Sequence, residues 1–234
     1  EVLKDINFKI EKGNKIAVVG LNGSGKTTLT KLLLRLYNPK NGEILINGIN
    51  INEFSIQDYR KQFSTVFQDF QLFAVSIGEN IVADTELLDL QKAQKAVELS
   101  MFSKKLSTLE KKYETQLTKE FDENGILLSG GQAQSLSISR AFYDDAPIII
   151  MDEPSSALDV SVENTLNSIV LNADSDKTVL IISHRLSTIK GADFIYYFED
   201  GQITEKGTHD TLMKERGKYA EMFTLQASKY NIVL

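Results

Sequence analysis

The sequence predicts an α/β chain: a mainly parallel, doubly wound sheet with a helical lobe inserted into it. Three observations lead there. Lys15–Val19, Ile148–Met151 and Thr178–Ser183 are short apolar runs, as strands buried on both faces require. These runs alternate with stretches of helical spacing, the β-α-β order of a parallel sheet. Between Ser76 and Lys112 the pattern is helical and strand signals are sparse.

Along the chain, Ile6–Ile10 comes first and alternates apolar and polar residues as a strand would, and Glu11-Lys12-Gly13-Asn14 reads as a turn. Thr28–Tyr37 has the leucine spacing of a helix, stopped by Asn38-Pro39. Glu43–Asn47 and Phe63–Phe67 read as further strands. Leu90, Ala93, Val97 and Met101 make an apolar helical stripe. Val162–Leu171 reads as a helix, Asp193–Phe198 as a strand and Asp210–Gln226 as helical. There is no internal repeat and no low-complexity linker. One domain over 1–234 is expected, with a core in 1–75 and 141–234 and a helical subdomain in 76–140.

Composition narrows the function classes. The chain has 234 residues, 42% hydrophobic and 25% charged, with a net charge of -6. That is ordinary for a globular protein, and the acidic balance argues against a general nucleic-acid binder. Cys is absent, which excludes disulfides and thiolate metal sites and is consistent with the cytosol. No apolar run approaches the ~20 residues of a membrane span. Glu1-Val2-Leu3-Lys4 lacks a starting Met and an apolar leader, so a piece of a longer polypeptide is expected.

The firmest motif is Gly20-Leu21-Asn22-Gly23-Ser24-Gly25-Lys26-Thr27, which fits G-x-x-x-x-G-K-[ST]. Glycines let backbone N–H groups turn inward around phosphate oxygens at close approach. The loop feeds a helix N-terminus, whose orphan N–H groups and dipole favour anions. Lys26 would reach the β- and γ-phosphates, and the Thr27 hydroxyl would ligate Mg²⁺. A second signal closes the buried run Ile148–Met151, where Asp152-Glu153 would be delivered to the ligand crevice. Asp152 would hold Mg²⁺, and Glu153 would polarise an attacking water.

Further residues complete a family pattern. Leu128-Ser129-Gly130-Gly131-Gln132 resembles the signature motif of ABC-type ATPases, and Gln132 precedes Asp152 by 20 residues, the spacing of that family. Gln68 in Val66-Phe67-Gln68-Asp69 resembles the Q-loop. Ser156-Ala157-Leu158-Asp159 resembles the D-loop, and His184 in Ile182-Ser183-His184-Arg185 the switch histidine. The resemblance implies a P-loop NTPase (RecA-like) core with a mainly parallel sheet, an N-terminal antiparallel β subdomain and an inserted α-helical subdomain. It implies ATP contacts from Gly20, Asn22, Gly23, Ser24, Gly25, Lys26, Thr27, Thr28, Gln68, Asp152 and His184. It also implies catalytic roles for Glu153, His184, Gln68 and Lys26, and Mg²⁺ held by Thr27, Gln68 and Asp152. Leu128, Ser129, Gly130, Gly131 and Gln132 would complete the ATP site of a second nucleotide-binding domain in a head-to-tail dimer, with a homodimer expected.

Val66–Phe73, Ser76–Ile81, Ser183–Thr188 and the tail Asp200–Asp210 resemble ABC exporters in particular. That resemblance implies a transmembrane domain upstream on the same polypeptide and a place at the cytoplasmic face of the membrane. Phe70, Phe73 and Val75 form an apolar cluster that reads equally as a docking surface for that domain or as core of the helical lobe. The family's adenine-stacking aromatic residue has no counterpart before Val2. It is expected upstream, and base stacking of ~1–3 kcal/mol would be missing from this piece. Ala133 and Ser135 stand where many exporters have basic residues, and Lys119–Gly125 keeps only Glu-x-Gly of the usual loop. Two rival readings are a non-transport ABC ATPase acting on DNA or ribosomes, and a non-catalytic nucleotide sensor. The span Thr27–Leu127 holds no long heptad run of the chromosome-organising kind, and the catalytic residue types are all present.

Overall fold

The computed structural model describes residues 2–83, 87–153, 165, 169, 171, 176–184, 186 and 189–229. The chain divides into two compact units. One comprises Glu1–Phe63, Pro147–Glu153 and Leu171–Leu234, the other Ser64–Ala146 and Pro154–Val170.

The first unit is organised by β1 (Lys15–Gly20), β5 (Ile148–Asp152), β6 (Thr178–Ile182), β7 (Phe194–Glu199) and β8 (Gln202–Gly207). With β4 (Phe63–Val66) these form one six-stranded sheet in the order β4-β5-β6-β1-β7-β8. β1 runs parallel to both β6 and β7, β5 is parallel to β6, and β8 turns back antiparallel to β7. Every residue of β1 and of β6 is buried, which explains why both read as unbroken apolar runs. β2 (Leu45–Ile46) and β3 (Ile49–Asn50) make a small antiparallel pair. The core joins Ile16, Val18, Leu29, Ile150, Leu180, Ile182 and Phe198. α1 (Lys26–Leu33) packs its Leu29 into that core.

Several elements differ from expectation for physical reasons. Ile6–Ile10 does not join a ladder. Its alternation holds, since Ile6, Phe8 and Ile10 pack on the core, but Lys9 is tied by the Tyr196 hydroxyl instead, which donates to Lys9 O at 2.9 Å. α1 stops well before Pro39, because Arg35 turns left-handed (φ 51°) and the Leu36 amide bonds back to Lys31 O at 2.8 Å. The Tyr59 hydroxyl, carried on α2 (Ile56–Arg60), donates to Leu33 O at the end of α1. The C-terminal stretch breaks into α7 (His209–Glu215) and α8 (Lys218–Lys229) at left-handed Arg216. The Glu205 carboxylate accepts the Tyr219 amide at 3.1 Å and also the Lys218 amide, capping α8. Tyr219, Phe223 and Ala227 give α8 a buried face. β8 escaped the sequence reading because its residues alternate only weakly in burial along a polar edge.

The second unit is helical. α3 (Ile77–Val82), α4 (Leu90–Leu99) and α5 (Ser103–Ser107) lie with α6 (Gly130–Asp144) around Ile77, Ile81, Val97, Phe102 and Leu136. The stripe expected on α4 is corrected at both ends. Leu90 and Met101 are exposed, and the buried face is Ala93, Ala96 and Val97, small residues that let α4 approach α6. Among the described residues no helix is long and apolar enough to cross a membrane.

Candidate functional site

Strand register brings the predicted residues of the first unit together. Asp152 pairs with Ile182, and Ile182 with Val18, so β5 and β6 end level with each other and β1 runs on two residues to Gly20. The residues next in the chain are therefore delivered to one edge: Glu153 after β5, Ser183 and His184 after β6, and the glycine loop after β1.

The loop is locked by its own lysine. Lys26 is buried, and its ammonium donates to Gly20 O at 3.0 Å and Leu21 O at 2.9 Å. An ammonium has three donors, so one remains for an anion in front of the loop. Burial pulls the Lys26 pKa below the ordinary lysine value, and the nearby carboxylates of Glu153 and Asp152 pull it back up. Gly20 lies so close to Phe198 O that any side chain would collide with it. Gly25 has φ 102° and acts as N-cap of α1 without a side-chain cap, leaving the first N–H groups of the helix unclaimed. Ser24 Oγ is buried and has no hydrogen-bond partner. Asn22 and Thr27 are exposed, Gly23 has open space around its Cα, and Thr28 is half-buried. A cradle with an orphaned hydroxyl, free helix N–H groups and one available ammonium proton matches phosphate oxygens.

Opposite charges meet behind it. Asp152 is 1% exposed at the end of β5. Glu153 adopts φ 50°, a left-handed conformation that costs a non-glycine residue about 1 kcal/mol or more and tends to cluster at working sites. Its amide donates to Ile182 O at 2.9 Å, and its Oε2 stands 3.3 Å from His184 Nδ1. The His184 side chain remains 45% exposed, so its other ring nitrogen is open to a ligand.

In the second unit, Ser129 is the N-cap of α6. Its Oγ accepts from the Gln132 amide at 3.4 Å, while Gln132 Oε1 accepts from the Ser129 amide at 3.1 Å. This capping box leaves the hydroxyl proton unspent and the first turn, Gly130-Gly131, without side chains. Ser129 and Gly130 are exposed, and Leu128, Gly131 and Gln132 are half-buried. Gln68 is exposed just beyond β4. Phe70 and Val75 are half-buried, while Phe73 is 54% exposed beneath the Arg140 guanidinium, 5.5 Å from its ring centre. Asn80 fixes this loop by accepting from Phe73 N at 2.9 Å and donating to Phe73 O at 3.0 Å. Ser156, Ala157, Leu158 and Asp159 lie outside the described residues. The reading from sequence missed one contact: the Gln226 side chain reaches the backbone beside His184. Its only sequence signal is a polar residue on the Tyr219-Phe223-Ala227 face of α8.

The chain is similar to known proteins over nearly all its length. A family model described as ABC transporter matches residues 3–156. The ATP-dependent lipid A-core flippase of Idiomarina loihiensis is 38% identical over 227 residues, covering 97% of this chain and 38% of the relative. A Staphylococcus aureus protein named for multidrug export, as an ATP-binding/permease protein, is 41% identical over 231 residues, 96% of this chain and 38% of the relative. Among solved structures, a bacterial Atm1-family ABC exporter with ATP bound matches with TM-score 0.89 and 33% identity over 97% of this chain and 39% of that one. The chain thus spans well under half the length of these proteins.

Proposed function

The chain belongs to the ABC transporter family, and from that premise we propose that it is the ATP-binding and ATP-hydrolysing domain of an exporter. The observation that carries this reading is the convergence of Lys26, Asp152, Glu153 and His184 at the strand ends of one unit, with Glu153 Oε2 3.3 Å from His184 Nδ1. ATP phosphates would enter the glycine loop, held by the α1 N–H groups, the third proton of Lys26 and the Ser24 hydroxyl. The loop is already closed by Lys26, so little reorganisation accompanies binding.

Mg²⁺ fits these residues. Among the described residues no cluster of three or more His, Cys, Asp or Glu could hold a metal alone. Buried Asp152 and exposed Thr27 offer the hard oxygen donors this ion takes, and it is usually held by one or two carboxylates together with substrate phosphates and water. Thr27 and Asp152 would hold it, and when bound it would neutralise charge developing on the phosphoryl oxygens.

Glu153 would accept the proton of the attacking water, whose oxygen forms the new bond to the γ-phosphorus while the bond to the ADP oxygen breaks. His184 orients the Glu153 carboxylate through Nδ1 and offers Nε2 to the γ-phosphate. Ser129 and the Gly130-Gly131 backbone would complete the ATP site of a second copy, a reading supported by the exposed Ser129 hydroxyl and the side-chain-free first turn of α6. Exposed Phe73 would contact a transmembrane part of the same polypeptide, consistent with relatives named as ATP-binding/permease proteins. The domain would then sit at the cytoplasmic face of a membrane, working as a pair of identical copies.

The test is Glu153→Gln in the full-length protein. ATP turnover should fall roughly 10²–10⁴-fold, the usual contribution of a general base. ATP-dependent dimerisation should survive, read by size-exclusion chromatography with multi-angle light scattering. Normal phosphate release by this variant would remove Glu153 as the base.

A further inference from the structure

We propose that Gln226 is a positioning residue for His184, holding the histidine at its working distance from Glu153 through the backbone. The inference rests on the hydrolytic reading of Glu153 and His184. The Gln226 carboxamide makes two hydrogen bonds to one short segment. Its Nε2 donates to His184 O at 2.6 Å, and its Oε1 accepts from the Leu186 amide at 2.9 Å. Only one orientation of the amide satisfies both, because a donor must face the carbonyl and an acceptor the amide. The side chain therefore acts as a bracket two residues wide.

His184 needs a bracket because, among the described residues, little else fixes it. Upstream, the β-ladder ends at the Ser183 amide, which donates to Val18 O at 3.2 Å. Beyond that point the segment leaves the sheet. The imidazole is 45% exposed and stands against Glu153 Oε2. Leu186, by contrast, is fully buried, so the bracket ties the histidine's backbone to a fixed point in the core. Gln226 is itself well seated, half-buried on the face of α8 that carries buried Phe223 and Ala227. An apolar residue would satisfy that packing equally well. A carboxamide there makes sense as a support that fixes the direction of a functional side chain, a role in which errors near 1 Å cost large factors in rate.

The experiment compares Gln226→Met, which keeps length and volume but removes both bonds, with Gln226→Ala, His184→Ala and Gln226→Met/His184→Ala in the full-length protein. ATP turnover and amide hydrogen exchange are both read. For Gln226→Met, kcat should fall about tenfold with KM for ATP within twofold. In the His184→Ala background the same change should cost less than twofold, since its target is gone. Exchange at Leu186 should accelerate at least tenfold in both Gln226 variants, while β1 and β6 keep their protection. Unchanged Leu186 exchange overturns the bracket whether or not the protein hydrolyses ATP. Equal losses with and without His184, or a KM effect alone, overturn the positioning role. Absence of turnover in the unmodified protein refutes the hydrolytic reading and leaves the exchange result to decide the bracket.

Discussion

The two helix N-termini that the sequence singles out are built in opposite ways. α1 begins at left-handed Gly25 with no side chain over its first N–H groups, and Lys26 closes the loop from behind. α6 begins at Ser129, whose capping box with Gln132 satisfies the Ser129 and Gln132 amides and leaves the Gly130-Gly131 backbone between them. The first is an open anion hole maintained by a buried cation and by glycines at positive φ. The second is a helix end held by its own capping box that still has a hydroxyl proton to give. An open end holds a ligand by itself, whereas a capped end stays stable while nothing faces it. That difference suits the reading in which phosphates bind first at α1 and are covered afterwards by α6 of a second copy.

The largest expected effect comes from breaking the open end. Lys26→Ala removes the ammonium and leaves the Gly20 and Leu21 carbonyls without their donor. ATP affinity should fall at least about 100-fold by isothermal titration calorimetry, since lost charge-assisted bonds cost roughly 1.5–3 kcal/mol each. Ser129 separates cap from ligand. Ser129→Asp keeps a good cap but faces phosphate with a negative charge. ATP-driven dimerisation should weaken tenfold or more while the melting temperature stays put. Ser129→Ala should instead lower helix stability by about 1 kcal/mol. Equal behaviour of the two variants would show that only the cap matters.

The smaller effect lies at the far end of α1, where Tyr59 holds Leu33 O. Burial pushes the Tyr59 phenol up to about 12, against the pull of Arg35. The folded state therefore keeps its proton where the unfolded chain, titrating near pH 10, loses it. Stability is fully present below about pH 10 and drains as pH rises toward 12. At pH 11 the loss is about 1.4 kcal/mol, one pH unit past the unfolded midpoint. Denaturant titrations at pH 9 and pH 11 should show it, and Tyr59→Phe should lessen the pH dependence, with buried Tyr219 supplying part of what remains. An unchanged slope in that variant would place the titration on other tyrosines.

How much of this was legible depends on where the information sits. The buried strands declared themselves because both faces are covered, so Lys15–Val19 and Ile148–Met151 read as apolar without periodicity. The glycine loop was legible because its backbone demands particular residues at particular places. Ile6–Ile10 misled because alternation reports which side chains point inward, and Tyr196 rather than a neighbouring strand supplies the backbone partner. The α4 stripe misled at Leu90 and Met101 because helical spacing identifies a face without saying how far along it the partner helix extends. Lys26 bonding its own loop, and Gln226 reaching across 42 positions to His184, are tertiary contacts with no local signature.

Glu205 and α8 carry a practical consequence for anyone preparing this protein. The last described helix is pinned at its start by a carboxylate from β8 and buries Tyr219, Phe223 and Ala227 in the unit that carries the glycine loop. A truncation ahead of Lys218, of the sort chosen to trim a tail for crystallisation, would remove those side chains and uncover the apolar surface they pack against. It would also remove the Gln226 side chain that grips the backbone at His184. Loss of solubility and of turnover would then arrive together from a cut made far from Gly20 in sequence.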